Sequence, residues 1–203
     1  MIACLDLEGV LLPEIWIKFA EKTGVENLKL TTRDIPDYDE LMTKRLKILK
    51  ENNFKLTDIK EVISTLKPLD GAIEFHKWLR SEFEVIILSD TFYQFVSPLM
   101  QKLDYPTLFC HQLVIDTNDS IVGYKLRQQN GKQEAVKALQ NLNFKVVAAG
   151  DSYNDIGMLK QANEGILFDP PKNVISDYPQ FSVSMCYADF QKKLEACKIR
   201  FEK

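Results

Sequence analysis

The sequence lacks paired cysteines: Cys4, Cys110, Cys186 and Cys197 lie far apart, with no C-x-x-C. That excludes a compact zinc site or a disulfide framework and leaves reduced, buried thiols of the kind found in a cytosol. No apolar run approaches the roughly 18 residues that span a bilayer. No basic, apolar leader precedes the first acidic cluster. A cytoplasmic protein without membrane contact is expected. Charge of one sign is also missing, because 26 Lys+Arg nearly balance 29 Asp+Glu for a net charge of −3. Such a balance leaves no electrostatic footprint for nucleic acid. Repeats, low-complexity tracts, charge blocks and G-x-x-x-x-G-K-[ST] are absent as well, so a P-loop kinase is disfavoured.

What remains is ordinary globular composition, 45% hydrophobic and 27% charged over 203 residues, enough for one core and a small appended unit. Four short apolar runs stand out, at 2–5, 85–88, 146–149 and 165–168, each followed by a polar or acidic residue. Continuous runs of this length suit strands buried on both faces of a parallel sheet. Helical spacing at 72–80 and 133–142 alternates with them, which predicts an α/β, doubly wound (Rossmann-like) sheet. Ligands bind beyond the carboxyl ends of such strands, where Asp6, Ser89, Asp151 and Asp169 fall.

Residues 13–68 contain no strand-like run and read as helices at 13–23, 38–52 and 57–66. Pro13 would occupy the first turn of the first helix, and Thr57-Asp58 would cap the third. That is too long for a loop, so a helical cap domain at 13–68 is expected over a core of 1–12 and 69–203. A hairpin is expected through Leu113-Val-Ile-Asp and Ile121-Val-Gly-Tyr, and it offers an edge for a homodimer.

Asp6 and Glu8 are spaced to face the same way as the chain leaves the first strand. Paired carboxylates can divide the work of nucleophile or metal ligand and of general acid/base, though they can equally be solvated loop acids. Asp151 and Asp155, in Gly150-Asp151-Ser152-Tyr153-Asn154-Asp155, suit a hard Mg²⁺ or a helix cap. Ser89, read as closing its strand just before a helix, suits a phosphate site or an N-cap. Lys132, opening the helix after Asn130-Gly131, can neutralise a phosphorane or simply face water.

The order of these elements is more specific than any one of them. Strand-Asp-x-acid, strand-Ser, Lys, then strand-Gly-Asp-x-x-x-Asp resembles the haloacid dehalogenase-like phosphatase superfamily over almost the whole chain. The segments Cys4-Leu5-Asp6-Leu7-Glu8-Gly9-Val10, Thr32-Arg33-Asp34-Ile35-Pro36-Asp37-Tyr38-Asp39, Ile87-Leu88-Ser89-Asp90-Thr91-Phe92-Tyr93 and Ala148-Ala149-Gly150-Asp151-Ser152-Tyr153-Asn154-Asp155 narrow the likeness. They resemble its phosphoserine phosphatase branch, and within it enzymes that also transfer phosphate to homoserine. The resemblance implies Asp6 as nucleophile and Glu8 as acid/base, with Asp6, the Glu8 carbonyl and Asp151 around Mg²⁺ and Asp155 behind them. It implies that Ser89 and Lys132 hold the phosphoryl group, and that Asp90 and Asn154 contact substrate. Glu14 and Arg45 would recognise the amino and carboxylate groups of phosphoserine.

One residue departs from the superfamily pattern. The acid after the nucleophile is usually Asp, and here it is Glu8. An extra methylene that slows water activation would let an alcohol such as homoserine intercept the aspartyl-phosphate. The remaining alternatives are an enzyme acting mainly on homoserine, a metal-free dehalogenase, another small-phosphomonoester phosphatase, and a non-catalytic receiver-like phosphoacceptor.

Overall fold

The computed structural model describes residues 1–32, 34, 35 and 37–201. Seven strands form one sheet: β1 (Ile2–Leu5), β2 (Glu84–Phe92), β3 (Thr107–Ile115), β4 (Ile121–Lys125), β5 (Val146–Gly150), β6 (Glu164–Phe168) and β7 (Ser182–Ser184), in the order β4-β3-β2-β1-β5-β6-β7. Every pairing is parallel except β3 with β4. The expected hairpin is therefore present, but its first strand starts earlier and pairs with β2 as well.

Alternation along the central strands divides the core in two. Ala3, Leu5, Ile87, Val147 and Ala149 pack on one face, and Ile2, Cys4, Leu88, Val146 and Ala148 on the other. The first face is covered by α4 (Ala72–Glu82), α5 (Tyr93–Lys102) and α9 (Tyr187–Phe201). The second is covered by α6 (Gly131–Asn141), α7 (Ile156–Gln161) and α8 (Lys172–Asp177). Helices on both faces explain why the inner strands are apolar throughout. The strand order turns back at β1, and such a switch point opens a crevice beyond the carboxyl ends.

Between β1 and α4 the described residues form three α-helices, α1 (Ile15–Thr23), α2 (Tyr38–Glu51) and α3 (Leu56–Thr65), and a 3-10 turn at Glu26–Lys29. The first begins later than expected: Glu14, with φ −59° and ψ 112°, is still extended, so Pro13 stands outside the helix. The third begins one residue early, with the Asp58 carboxylate accepting the Lys55 amide at 2.7 Å. Thr57 donates both amide and hydroxyl to Asp119 in the hairpin turn instead of capping its helix.

Both connections of this insert are fastened to the core. The Leu69 amide donates to the Leu11 carbonyl at 3.0 Å, and the Tyr187 hydroxyl donates to the Val10 carbonyl at 2.6 Å. At the far side the hairpin reaches up to the insert, where the Leu56 amide and the Lys55 ammonium meet Asp119 and Ser120, and the Tyr124 hydroxyl meets Asp39. Among the described residues no helix is long and apolar enough to cross a membrane.

Candidate active site at the switch point

Asp6 follows the last residue of β1 and stays in register, its amide bonded to the Ala149 carbonyl at 2.9 Å. The chain then turns sharply through Gly9, whose φ of +80° favours glycine. A Cβ at Gly9 would stand 2.5 Å from Asp151 Cγ, so the missing side chain is what lets that carboxylate approach. Gly150 does the same for Asp155, where a Cβ would lie 2.2 Å from Cγ.

The acids therefore crowd together. One oxygen each from buried Asp6, Asp151 and Asp155 lies within 4.8 Å of the others. Asp155 is tied down: one oxygen accepts the Asp151 and Ser152 amides at 3.0 and 3.1 Å, and the other accepts Lys132 Nζ at 2.7 Å. The buried Lys132 ammonium also stands 3.0 Å from Asp6 and 3.5 Å from Asp90. Burial opposes its charge, but Asp155, Asp6 and Asp90 outweigh that and raise its pKa.

Asp6 has its pKa raised well above the carboxylate range by burial and by Asp155, with Lys132 pulling the other way and Asp151 and Asp90 adding to the rise. Among the described residues these three acids crowd together beside one ammonium, Lys132, which gives the spot an excess of acidic groups. An all-oxygen donor set with that excess is what a hard divalent cation needs, so these residues fit a metal ion.

Glu8 is not one of that group of three. Its carboxylate accepts the Ile15 amide at 2.9 Å and also bonds Thr91. Burial raises its pKa, although Ile15, Thr91, Arg45 and Lys132 moderate the rise. A carboxyl that holds its proton longer than usual is suited to donate one.

Ser89 departs from expectation. β2 continues through Ser89, Asp90 and Thr91 to Phe92, and α5 starts only at Tyr93, so Ser89 is not at a helix N-terminus. Its buried hydroxyl accepts the Thr91 amide at 3.3 Å and faces the cleft from the strand. The reason lies in the pairing of β2 with β3, which shifts register between Leu88 and Phe92 and keeps the chain extended.

A cleft of about 80 Å³ gathers Asp6, Glu8, Glu14, Arg45, Ser89, Asp90 and Asn154, the last from the 3-10 turn Tyr153–Asp155. Lys132, Asp151 and Asp155 adjoin it through their contacts with Asp6 and Asp90. On the insert side, the Arg45 guanidinium lies 4.6 Å from the centre of the Trp16 ring and donates to the Leu30 carbonyl at 2.8 Å. Its Nε has no hydrogen-bond partner among the described residues. Burial pulls its pKa down to about 10 against the influence of Tyr38, Glu8 and Glu14, which leaves it charged at neutral pH.

Sequence reasoning missed Thr91, Tyr38 and His111 as neighbours of this site. Thr91 was findable, since on a strand it shares the face of Ser89 two residues earlier. Nothing around His111 in the chain marks it. Arg33 and Pro36 of the 32–39 motif lie outside the described residues.

The comparisons with known proteins agree with this geometry. The chain is 60% identical to phosphoserine phosphatase ThrH of Pseudomonas aeruginosa over 192 residues, covering 95% of this chain and 94% of that protein. It is 58% identical to a phosphoserine phosphatase of Pseudomonas syringae pv. tomato, covering 95% and 81%. A substrate-bound phosphoserine phosphatase shares the fold with a TM-score of 0.75 at 19% identity, over 95% of this chain and 97% of that one. Residues 2–163 match the model for haloacid dehalogenase-like hydrolases, and the chain belongs to that family.

Proposed function

We propose that this enzyme is a Mg²⁺-dependent phosphoserine phosphatase that works through an aspartyl-phosphate on Asp6 and can pass the phosphoryl group to homoserine. The observation that carries the reading is Asp6 itself: a buried carboxylate at the switch point, 3.0 Å from Lys132 and beside Asp151 and Asp155. The 60% identity to a protein named for this substrate supports it.

Asp6 attacks phosphorus as the P–O bond to the seryl oxygen breaks, and Glu8 protonates that departing oxygen. Glu8 then takes a proton from water, which attacks the same phosphorus and releases phosphate and free Asp6. Homoserine in place of water gives O-phosphohomoserine by the same atom balance. Lys132 and Ser89 stabilise the equatorial oxygens. Asp6, the Glu8 carbonyl and Asp151 would hold Mg²⁺, with Asp155 fixing Asp151. When bound, the ion lowers the repulsion between the anionic nucleophile and the anionic phosphate.

Residues 13–68 act as the cap domain over a core of 1–12 and 69–203, excluding bulk water from the acyl phosphate. From the cap, Glu14 would take the substrate ammonium and Arg45 its carboxylate. Four unpaired cysteines suit a cytoplasmic setting.

The test is phosphate release from a panel of phosphomonoesters with and without Mg²⁺ and homoserine, on wild type and Asp6→Asn. Phosphoserine should be the best substrate, and Asp6→Asn should fold but not turn over. Substantial turnover by that variant would sink the nucleophile assignment.

A further inference from the structure

The end of β2 carries a polar chain that the phosphoryl-transfer steps leave unused. Asp90 stands at its centre with both carboxylate oxygens engaged. Oδ2 accepts Asn154 Nδ2 at 2.9 Å and lies 3.5 Å from Lys132 Nζ, while Oδ1 lies 3.4 Å from His111 Nε2. The Asp90 carbonyl accepts the Tyr38 hydroxyl at 2.9 Å, which ties the same residue to helix α2 of the insert.

His111, buried on β3, is fixed from behind. Its Nδ1 accepts the Arg127 amide at 3.1 Å, so that nitrogen carries no hydrogen and the proton of the neutral ring sits on Nε2, facing Asp90. Tyr38 packs edge-on against the ring at 6.1 Å, and Phe92 lies 6.3 Å from it. Burial works against the charge on Asp90, but Lys132, His111 and Asn154 together hold its pKa well below the usual range.

We infer that His111 is a positioning residue acting through Asp90: it orients the carboxylate that aims Lys132 and Asn154 at the phosphoryl site, and Tyr38 carries that alignment to the insert. Asp90 is then a brace for two substrate-holding groups, not itself a substrate contact. This rests on the phosphoryl-transfer reading of the site, but not on which ester is used.

The test is steady-state kinetics of His111→Asn, His111→Gln, Asp90→Asn and the Asp90→Asn/His111→Asn double variant on the best phosphomonoester of the wild-type panel. Thermal midpoints are measured on each. Asn keeps an acceptor near Nδ1 for Arg127 but cannot reach Asp90, whereas Gln extends a donor to where Nε2 stands. Misaimed groups cost transition-state stabilisation, so kcat should fall on the order of tenfold to a hundredfold in His111→Asn and Asp90→Asn. KM should change far less. His111→Gln should restore most of the loss, and the double variant should be no slower than Asp90→Asn alone, because both act on one unit. Unchanged kcat in a folded His111→Asn, failure of Gln to rescue, or losses that multiply in the double variant would each overturn the inference. If His111→Asn does not fold, Asp90→Asn and His111→Gln decide: an active Asp90→Asn or an inactive, folded His111→Gln refutes it. If the wild type prefers another ester, the phosphoserine reading fails while this comparison stands.

Discussion

The Glu8 carboxylate accepts the backbone amide of Ile15 at 2.9 Å, so the acid two residues past Asp6 also ties off the first turn of helix α1. The residue at the N-cap position, Glu14, makes no side-chain cap of its own. The extra methylene of Glu over Asp is what reaches that amide. Glu8→Asp should lose the bond and about 1 kcal/mol of stability, as removal of an N-cap does. Freed from Ile15, the shorter acid should activate water better and shift partition from homoserine toward hydrolysis. Product ratios at fixed homoserine, with urea midpoints, check both; an unchanged ratio refutes the partition argument.

Metal binding should be visible without turnover. Asp6, Asp151 and Asp155 crowd three carboxylates together, and a ligand that binds only the folded state stabilises it by about 2.7 kcal/mol at a hundred times its Kd. Millimolar Mg²⁺ should raise the thermal midpoint of the wild type by several degrees and that of Asp151→Asn by little. Equal shifts in both proteins would remove Asp151 from the site.

Arg45 offers a test of substrate shape. Arg45→Ala should weaken kcat/KM for phosphoserine by about ten- to a hundredfold, the worth of a charge-assisted contact. Phosphoethanolamine lacks the carboxylate, and its turnover should change far less. Parallel losses on the two esters would mean that Arg45 serves only to pack helix α2 against Trp16 of α1.

His76 sets a pH dependence of stability away from the site. It is buried on α4, its Nε2 without a partner among the described residues. Burial, helped by Arg80 and opposed by Asp104, lowers its pKa from 6.5 to about 4. As pH falls below 6.5 the unfolded chain takes up a proton that the folded chain refuses, so stability drops toward pH 4. The full effect is about 3 kcal/mol at 1.36 kcal/mol per pH unit. Urea midpoints at pH 7 and pH 5 should fall more for the wild type than for His76→Leu; equal falls would refute the assignment.

Asp6, Ser89 and Asp151, the parts of the site that apolar patterning alone marked, share one property: each sits where an apolar run ends. Asp6 and Asp151 were visible because a buried parallel strand is apolar on both faces and must stop at its first charge. β7 carried no such signal, since Ser182–Ser184 holds one apolar residue. The first half of β3 was hidden for a related reason, as Thr107 and His111 interrupt its run. β2 was cut short at Leu88 because Ser89-Asp90-Thr91 looked like a strand exit, whereas pairing with β3 keeps it extended to Phe92. The contacts around Asp90 join β2, β3, α2, α6 and the 3-10 turn before α7, and no local pattern encodes a meeting of five segments.

The placement of β1 has a consequence for how the molecule is made. Of the seven strands described, the first to be synthesised is the central one, and its second neighbour, β5, lies some 140 residues later. At about 5–20 residues per second the nascent chain holds one flank of β1 unpaired for roughly 7–28 s. Asp6 waits about as long for Asp151 and Asp155. On the proposed mechanism a chain that stops before residue 146 would lack Asp151 and Asp155 and be inactive, and its β1 would keep one apolar edge unpaired, which invites chaperones or aggregation.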